Sequence, residues 1–586
     1  MESGSQPKVR KLSKGIKIII GGFVIVLLLL SAIGIGGWYL QKKFPDKIKA
    51  TVNEESQGQY TLNFDKMTVS LLSGTVNLEN VKLDIDTQAY LALLTSESSD
   101  NLVELKIRQL KLSGISFFQY LTKEKLILED ILIDKPEIVL YQMRDTVRID
   151  SVQKNLYEQV PDFLKGVKLD LLKVNDLSFS KRDYARLQDS VNKLTGLSFS
   201  IEGISVDSSA MQDSSFVWFS KDIKINSTAL KYTLANGLYF IKLEKLNAST
   251  KSRTVDIESF KVIPLYKEIE FSYKLGKQGD RYNILIPFIK VKDIDFKKLE
   301  NENRLFSQSV LLENGQVLIF NNKKLPSDMK DVIYNAPHLA LKRMEFPIRI
   351  DTLTLKNFEI HYRELNPKSN QTGDAFFTDL NGTIHNVTND SVSLRKNHWI
   401  TSNFNMNFLG NAKINLSLNF NQSSKVGEFN YKGSMGAASA TSFNKLLEPI
   451  AMVRADEGYF NKITFDVKAN VKGSYGTVQT LYKDLKVSAL VKQDDGSLGK
   501  DGLISFLVNA LVVTPNNPEE GEPARISNFT HSHPPKQSFF NLMWKSIFTG
   551  IKENVIESKE DKKEKKKREK EKKKALKEAK KEAKKT

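Results

Sequence analysis

The sequence predicts a mainly β protein in which one strand-rich unit occurs twice. Residues 110–141 align without a gap with residues 289–320, at an offset of 179, and their apolar positions coincide. A second pair of segments, 167–183 and 348–364, continues the match. Apolar and polar residues alternate in these segments, which is typical of strands with one buried face. A unit of about 180 residues is therefore predicted to be repeated in tandem.

The same alternation runs from Tyr60 to about Val513, with Lys, Asp, Asn, Ser and Thr opposite the apolar positions. Such strands form a sheet with one wet face and one apolar face. Helix-like stretches are few and short: 151–165, 181–193, 328–335, 442–453 and the segment from Phe539 onward. An apolar sheet face must be buried against something. Two solutions remain open: a closed sandwich or barrel, and a long curled sheet with an open hydrophobic groove.

Composition excludes several function classes. The 586 residues carry a net charge of +18, but residues 559–586 hold 16 Lys/Arg and 7 Asp/Glu, which is +9 in the tail alone. The remaining chain is only mildly basic, so no nucleic-acid partner is predicted. The absence of cysteine excludes disulfides, thiolate nucleophiles and Cys-ligated metal sites.

The N-terminus predicts a membrane anchor. Residues 18–40 contain no charged side chain, and a helix of 23 residues is long enough to cross a bilayer. Basic residues precede and follow it, with a slight excess before, which favours a cytoplasmic N-terminus. A cleaved signal peptide is the alternative, although its apolar region is normally shorter. The predicted anchor residues are Ile18, Phe23, Leu27, Trp38 and Tyr39.

A second apolar helix is predicted near the C-terminus, over residues 537–556. Its large side chains recur at spacings of three and four, which gives one apolar face. The helix either lies in a membrane interface, docks a partner, or packs over the end of the sheet. The residues of this face are Phe540, Trp544, Ile547, Phe548 and Ile551. The Lys/Glu-rich tail beyond it is predicted to be solvated, with contact to anionic lipid as the alternative.

No pattern for enzyme chemistry is present. The sequence has no Walker loop, no strand-linked G-x-G-x-x-G, no G-x-S-x-G and no H-E-x-x-H. His531 and His533 form the closest histidine pair, without a nearby carboxylate in sequence. The prediction is a protein that is not an enzyme and needs no cofactor or metal.

The order of these features resembles the AsmA-like and TamB-like envelope proteins. The resemblance lies in the anchor, the segment 60–74 (YTLNFDKMTVSLLSG), the repeat units closed by 136–141 (PEIVLY), and the C-terminal segments 481–487, 509–518 and 539–545. It covers residues 10 to about 556. The resemblance implies a curled sheet with a hydrophobic groove, a single-pass inner-membrane protein with its bulk in the periplasm, and a link to outer-membrane biogenesis and phospholipid transport.

The first hypothesis is therefore binding or transfer of membrane phospholipid along a hydrophobic β-groove. The alternative is a non-enzymatic periplasmic scaffold or regulator of outer-membrane protein assembly, with envelope proteins as partners. A weaker third possibility is an envelope enzyme. The candidate groove residues are Leu110, Leu112, Ile131, Ile133, Ile138 and Leu140 in the first copy, and Ile289, Val291, Val310, Leu312, Val317 and Ile319 in the second.

The predicted organisation follows from these features. It comprises a basic N-terminus (1–17), the anchor (18–40), a first β unit (41–284), a second β unit (285–450), a C-terminal β region (451–536), the amphipathic helix (537–556) and the tail (557–586).

Overall fold

The structure is a computed structural model. It describes residues 37–556 and residue 571, apart from 71, 89–90, 92–101, 117–118, 120–124, 143–165, 184–191, 208–212, 235, 328–335, 494, 496, 501–512 and 534–538. The described chain has 61% strand and 17% helix, which confirms the mainly β class.

Strands follow one another with few interruptions. The first twelve are β1 (Tyr60–Asn63), β2 (Lys66–Ser70), β3 (Thr75–Ile85), β4 (Leu102–Ser113), β5 (Lys125–Asp134), β6 (Glu137–Gln142), β7 (Gly166–Asp183), β8 (Asn192–Val206), β9 (Asp222–Thr233), β10 (Tyr239–Ser249), β11 (Thr254–Pro264) and β12 (Asp280–Ile294). The others are β13 (Leu305–Glu313), β14 (Gln316–Asn322), β15 (Ile348–Leu365), β16 (Thr372–Thr388), β17 (Trp399–Phe408), β18 (Ala412–Asn421), β19 (Phe429–Met435), β20 (Ala438–Ser439), β21 (Val453–Asn470), β22 (Gly473–Lys492), β23 (Leu498–Lys500) and β24 (Ser527–Ser532).

In the described chain, helices precede, separate and follow these strands. They are α1 (Gly37–Glu55), α2 (Glu268–Leu275), α3 (Phe296–Glu302), α4 (Pro337–Arg343), α5 (Ser391–Lys396), α6 (Asn444–Ala451) and α7 (Phe539–Val555). The helix-like reading of residues 181–193 was wrong at both ends. Residues 181–183 belong to β7 and residues 192–193 to β8, because the ladder between these two strands satisfies their backbone groups.

The described chain separates into two compact units. Unit 1 holds the described parts of Met1–Tyr266 and Ile284–Leu311, and unit 2 those of Lys267–Asn283 and Leu312–Thr586. The boundaries predicted from sequence at residues 284 and 450 rest on the repeat and the one at 536 on the C-terminal helix, and all three stay predictions.

Unit 1 begins with a mixed arrangement of strands. β3 pairs antiparallel with β1, β2 and β4. β4 pairs antiparallel with both β5 and β6, and these two strands run parallel to β7. From β7 to β12 each strand pairs antiparallel with the next strand along the chain. This includes β11 and β12, although α2 stands between them in the sequence.

The ladder of β1, β2 and β3 recurs in β10 and β11, residue for residue, 179 positions later. The corresponding pairs are Tyr60↔Ile85 and Tyr239↔Pro264, Lys66↔Glu79 and Lys245↔Glu258, and Ser70↔Thr75 and Ser249↔Thr254. Asn80 in β3 and Ser259 in β11 both have a positive φ, of 53° and 56°. The structural repeat therefore begins at Tyr60 and Tyr239, well before the segments whose sequence match is evident.

Within unit 2, β14, β15 and β16 repeat features of β6, β7 and β8. β14 and β15 form a parallel pair, as β6 and β7 do. The irregularity of the β7–β8 ladder around Leu177 recurs in the β15–β16 ladder around Phe358. The residues before these two, Asp176 and Asn357, both have a φ of 52°. Since a bulge bends its strand, the bend is duplicated together with the strands.

Each unit has its own hydrophobic cluster. In unit 1, Ile48 and Val52 of α1 join buried side chains of β1–β8, among them Leu78, Leu110 and Leu112. We call this the closed cluster. In unit 2, a larger cluster combines strands from β16 to β24 with α4, α6 and α7.

Candidate functional site

Five neighbouring strands of unit 1, β8–β12, present apolar side chains on one face in matching register. One row crosses all five strands through Leu194, Tyr232, Ile241, Val262 and Ile284. The second row contains Leu230, Leu243, Phe260 and Ile286. The third contains Leu246, Ile257 and Ile289, together with Ser227. The fourth contains Phe199, Ile225, Ala248, Val255 and Val291. We call this set the open apolar face.

Most side chains of the open apolar face are only half-buried. Leu230, Leu243 and Ile286, in its second row, fall below one-tenth exposure, at 8%, 7% and 9%. The other apolar members are shielded in part by their neighbours on the pleated surface and remain accessible. Apart from Phe199, none of them belongs to the hydrophobic clusters that the described residues form. In the described part of unit 1, this face is therefore not closed into a core.

The opposite face of the same strands is charged. Cross-strand ion pairs join Lys245 Nζ to Glu258 Oε1 at 2.9 Å and Lys261 Nζ to Glu244 Oε1 at 2.6 Å. The hydrogen bond and positive charge of Lys261 lower the pKa of the Glu244 carboxyl. These exposed pairs add little stability. They do establish which face is in water, so the apolar face is the one left for a core or a ligand.

One end of the open apolar face is fixed by a buried carboxylate. Asp222 is 3% exposed, and its Oδ1 accepts hydrogen bonds from Ser249 Oγ at 2.8 Å, Thr250 Oγ1 at 3.2 Å and the Lys251 amide at 3.1 Å. These bonds hold the turn between β10 and β11 against β9. The β10–β11 turn, at one end of the apolar rows, is thus fixed by hydrogen bonds to the start of β9.

The groove candidates of the first copy lie mainly in a core. Leu110, Leu112, Ile131 and Leu140 are 4%, 1%, 3% and 6% exposed, and Ile133 packs half-buried against the closed cluster. Ile138 is half-buried. Of the second-copy candidates, Ile289 and Val291 belong to the open apolar face. Val310, Leu312, Val317 and Ile319 are half-buried on β13 and β14.

Sequence reasoning missed most of the open apolar face. Tyr232, Ile241, Ile257 and Val262 were not among the candidates, although they share rows with Ile289 or Ile284. The signal that could have found them is a second match at the same offset of 179 residues. It pairs Ser73, Thr75, Val76, Glu79 and Lys82 with Ser252, Thr254, Val255, Glu258 and Lys261.

The C-terminal helix α7 packs on β22 and β24 in unit 2. Its buried stripe consists of Phe539, Leu542, Ser546, Gly550 and Asn554. The Ser546 and Ser474 hydroxyls lie 2.6 Å apart, and Asn554 Nδ2 donates to the Val478 carbonyl at 3.0 Å. A Cβ on Gly550 would lie 2.5 Å from Val478 Cγ2, so the helix approaches the sheet closely.

The residues predicted for an interfacial helix lie beside this buried stripe. Phe540 is 69% exposed, and Trp544, Ile547, Phe548 and Ile551 are half-buried. Trp544 and Phe548 stack with ring centroids 5.7 Å apart. One flank of α7 therefore keeps aromatic surface accessible while the other flank docks on the sheet.

Most of the predicted anchor and nearly all of the predicted tail lie outside the described residues. This holds for Ile18, Phe23 and Leu27, while Trp38 and Tyr39 fall in the first turn of α1. Among the helices that the structure describes, none has the length and apolar character needed to span a membrane.

Two of the histidines, His531 and His338, lie half-buried and buried in the described structure. His531 lies 3.4 Å from the Thr549 hydroxyl, and burial lowers its pKa. His338 is 2% exposed and stacks on Phe420 with centroids 4.7 Å apart, and burial lowers its pKa to about 4. The described residues contain no group of His, Asp and Glu side chains able to hold a metal ion.

Comparison with known proteins adds no assignment. No family model matches the chain, and no curated protein matches it.

Proposed function

We propose that the protein binds acyl chains of membrane phospholipids on the open apolar face and takes part in lipid transfer. The observation that supports this most is the exposure of the apolar rows on β8–β12, in a face that the described residues leave uncovered. A sheet face of this size does not normally remain in water. A lipid chain satisfies the same requirement that α1 satisfies in the first copy.

The binding mechanism follows from the chemistry of the face. Aliphatic residues supply burial without directional bonds, at about 0.8 kcal/mol for each buried CH₂ group. Five strands at a spacing of about 4.8 Å provide a track of about 19 Å between the outer strands, comparable with an extended acyl chain. Since no polar group on the rows pins the chain, apart from Ser227 and the Tyr232 hydroxyl, the chain can slide across them. The charged opposite face stays in water.

The cellular setting is part of the proposal. An N-terminal anchor over residues 18–40 would hold the protein in the inner membrane, with the β units in the periplasm. This is the setting implied by the resemblance to AsmA-like proteins, and it suits a role in outer-membrane biogenesis.

The character of unit 2 supports a second candidate, a scaffold for envelope proteins. Its large cluster is closed, and the outer face of β17–β19 is polar, with Asn405 opposite Asn415 and Asn415 opposite Ser434. A polar face backed by a closed core suits contact with another protein. In this reading the open apolar face of unit 1 would be covered by a partner protein.

The test is the lipid content of the full-length protein, measured by mass spectrometry after organic extraction. The double variant Ile257→Asp/Ile289→Asp places two charges on neighbouring positions of the open apolar face. Asn226→Asp/Thr228→Asp places two charges on the opposite, exposed face of β9. We expect phospholipid with the native protein and the second variant, and a loss of at least half with the first. Folded native protein free of lipid would refute lipid binding and favour the scaffold.

A further inference from the structure

Three lysines lie directly opposite one another on the charged face of β9, β10 and β11. Lys231 of β9 pairs with Lys242 of β10, and Lys242 pairs with Lys261 of β11. We call these three residues the lysine row. Like charges in directly opposite positions destabilise a sheet, so this register has a cost that an anionic partner would offset.

The first copy of the repeat does not have this register of like charges. The residues 179 positions before Lys242 and Lys261 are Asn63 and Lys82, and they pair in the same way. The oppositely charged pair that comes next along the ladder is present in both copies. A solvated face is therefore compatible with one lysine at this ladder position, and the lysine opposite it is specific to the second copy.

The lysine row has an excess of positive charge. In the described chain, the carboxylate that contacts it is that of Glu244, which binds Lys261 Nζ at 2.6 Å and lies within electrostatic reach of Lys242. Lys231 Nζ lies 4.5 Å from the ring centroid of Phe240, an interaction that leaves its charge in place. Three lysines and one carboxylate leave two positive charges for a partner.

Apolar side chains border the lysine row on the same face. Phe240 and Ile263 pair with each other and lie two residues from Lys242 and Lys261, and alternate residues of a strand share a face. Both are half-buried, and Leu265, just beyond the end of β11, is 48% exposed. Lysines beside aromatic and aliphatic side chains suit an anionic membrane surface, which binds the ammonium groups at its head groups and the apolar groups just below them.

The lysine row lies at the same strand ends as the first row of the open apolar face. The sequence neighbours of the three lysines are Tyr232, Ile241 and Val262, which belong to that row and point to the other side of the sheet. A membrane surface at these strand ends therefore meets lysines on one side of the sheet and apolar side chains on the other. Lipid that leaves this membrane can reach the first row without crossing the charged face.

We propose that the ends of β9, β10 and β11 dock on an anionic phospholipid membrane, with the lysine row on the head groups and Phe240, Ile263 and Leu265 at the boundary of the acyl region. The inference deepens the proposed lipid binding and rests on it for the route of the lipid, which loads the open apolar face from this end.

The experiment uses the full-length protein in phosphatidylcholine nanodiscs, with Ile263→Cys as its single cysteine and an environment-sensitive dye on the thiol. Vesicles of phosphatidylglycerol, or of phosphatidylcholine alone, are then added. We expect brighter and blue-shifted emission with phosphatidylglycerol only. The same dye at Asn226→Cys, exposed on the same face but nearer the other strand end, should not respond.

Two triple variants with the same change of net charge test the lysine row. The row is neutralised in Lys231→Gln/Lys242→Gln/Lys261→Gln. The matched control neutralises three lysines of the same face that bind carboxylates, in Lys224→Gln/Lys245→Gln/Lys290→Gln. We expect about thirtyfold weaker binding to phosphatidylglycerol vesicles for the first variant, the effect of two excess lysine charges, and less than about a twofold change for the control.

The basic tail is identical in both variants, so its own attraction to the vesicles cancels in the comparison. Folding of the row variant is checked by denaturant titration, where relief of like-charge repulsion should leave it at least as stable as the native protein.

Three results would overturn docking by this surface: no response at residue 263 to phosphatidylglycerol vesicles, an equal response to soluble glycerophosphate, or equal losses in the two triple variants. Phospholipid extracted from the same native sample would then leave lipid binding intact. A protein that docks and carries no lipid would refute the proposed lipid binding and the route of the lipid, while the docking surface itself would stand.

Discussion

The two copies of the repeat place equivalent residues in different surroundings. Leu78, Leu110 and Leu112 of the first copy are 1%, 4% and 1% exposed. Their equivalents 179 residues later, Ile257, Ile289 and Val291, are half-buried members of the open apolar face. In each copy the three residues lie on adjacent antiparallel strands, and Leu78 pairs with Leu110 as Ile257 pairs with Ile289.

The difference between the copies lies in what covers the sheet. In the first copy, α1 precedes the repeat and adds Ile48 and Val52 to the closed cluster. In the second copy, the position before the repeat is occupied by β9, which extends the sheet instead of covering it. Alternation of apolar and polar residues thus determines the strands and their faces. Whether an apolar face becomes a core or a binding surface depends on the neighbouring segment.

The largest expected effect comes from charging equivalent positions in the two copies. Leu110→Asp buries a charge in the closed cluster and should destabilise unit 1 by about 4 kcal/mol or more. Ile289→Asp faces an accessible surface and should cost about 1 kcal/mol, because its carboxylate keeps water contact. Amide hydrogen exchange in β4 and β12 measures both. Equal costs would mean that the second copy is closed as well.

A buried site keeps a histidine neutral to a lower pH than a solvent-exposed site does. The folded pKa of His338 is about 4 against an ordinary value of 6.5. As the pH falls, the unfolded chain therefore takes up the proton first, and stability that is full above about pH 6.5 declines until about pH 4. The expected loss is about 3 kcal/mol.

Unfolding of the full chain at pH 7 and pH 4.5, compared with His338→Phe, measures this loss. The phenylalanine can occupy the stack with Phe420 and cannot titrate, so its variant should lose less stability on acidification. Identical pH profiles for both proteins would show that His338 is not held neutral by burial.

Weakening the packing of α1 should affect the first copy of the repeat and not the second. Val52 of α1 is 6% exposed, and Val52→Ala should destabilise the first copy by about 2 kcal/mol through the cavity it leaves. Hydrogen exchange should accelerate in β1–β3 and stay unchanged in β10 and β11, whose residues are not part of the closed cluster. Acceleration in both copies would contradict separate burial of the two faces.

The smallest effect is expected on the charged face opposite the open apolar face. Lys245→Ala removes the ion pair with Glu258, in which both side chains are about half exposed. The expected cost is no more than about 0.5 kcal/mol, with the lipid content unchanged. Denaturant titration and lipid extraction of the same sample check both points, and a large loss of lipid would show that this face takes part in binding.

The sequence was sufficient to predict the strands, because alternation is a local property of the chain. It also indicated the repeat, since Leu110 and Ile289 fall in matching patterns. The earlier part of the repeat is less evident in the sequence, where it shows as the match of residues 73–82 with 252–261, and Gly74 and Arg253 share a positive φ there without sharing a residue type. The open apolar face could not be separated from the core either, since Leu78 and Ile257 are equally apolar and differ only in what lies over them.

For the C-terminal helix too, the sequence predicts the element but not the face that packs on the sheet. Its existence follows from the spacing of large apolar residues such as Trp544 and Phe548. Its docked stripe includes Ser546 and Gly550, which a search for large apolar residues passes over. These small residues allow the helix backbone to approach β22 closely. The need for small side chains at these positions is evident only once the helix is packed on the sheet.

The most direct test of the central claim uses the absence of native cysteine. Single-cysteine proteins Leu78→Cys and Ile257→Cys place a thiol at equivalent positions of the two copies, and the rate of reaction with a maleimide is measured with and without phospholipid vesicles. We predict slow labelling at residue 78 in both conditions, and fast labelling at residue 257 that phospholipid suppresses. Equally slow labelling at both positions, or labelling at residue 257 that phospholipid leaves unchanged, would contradict an open lipid-binding face.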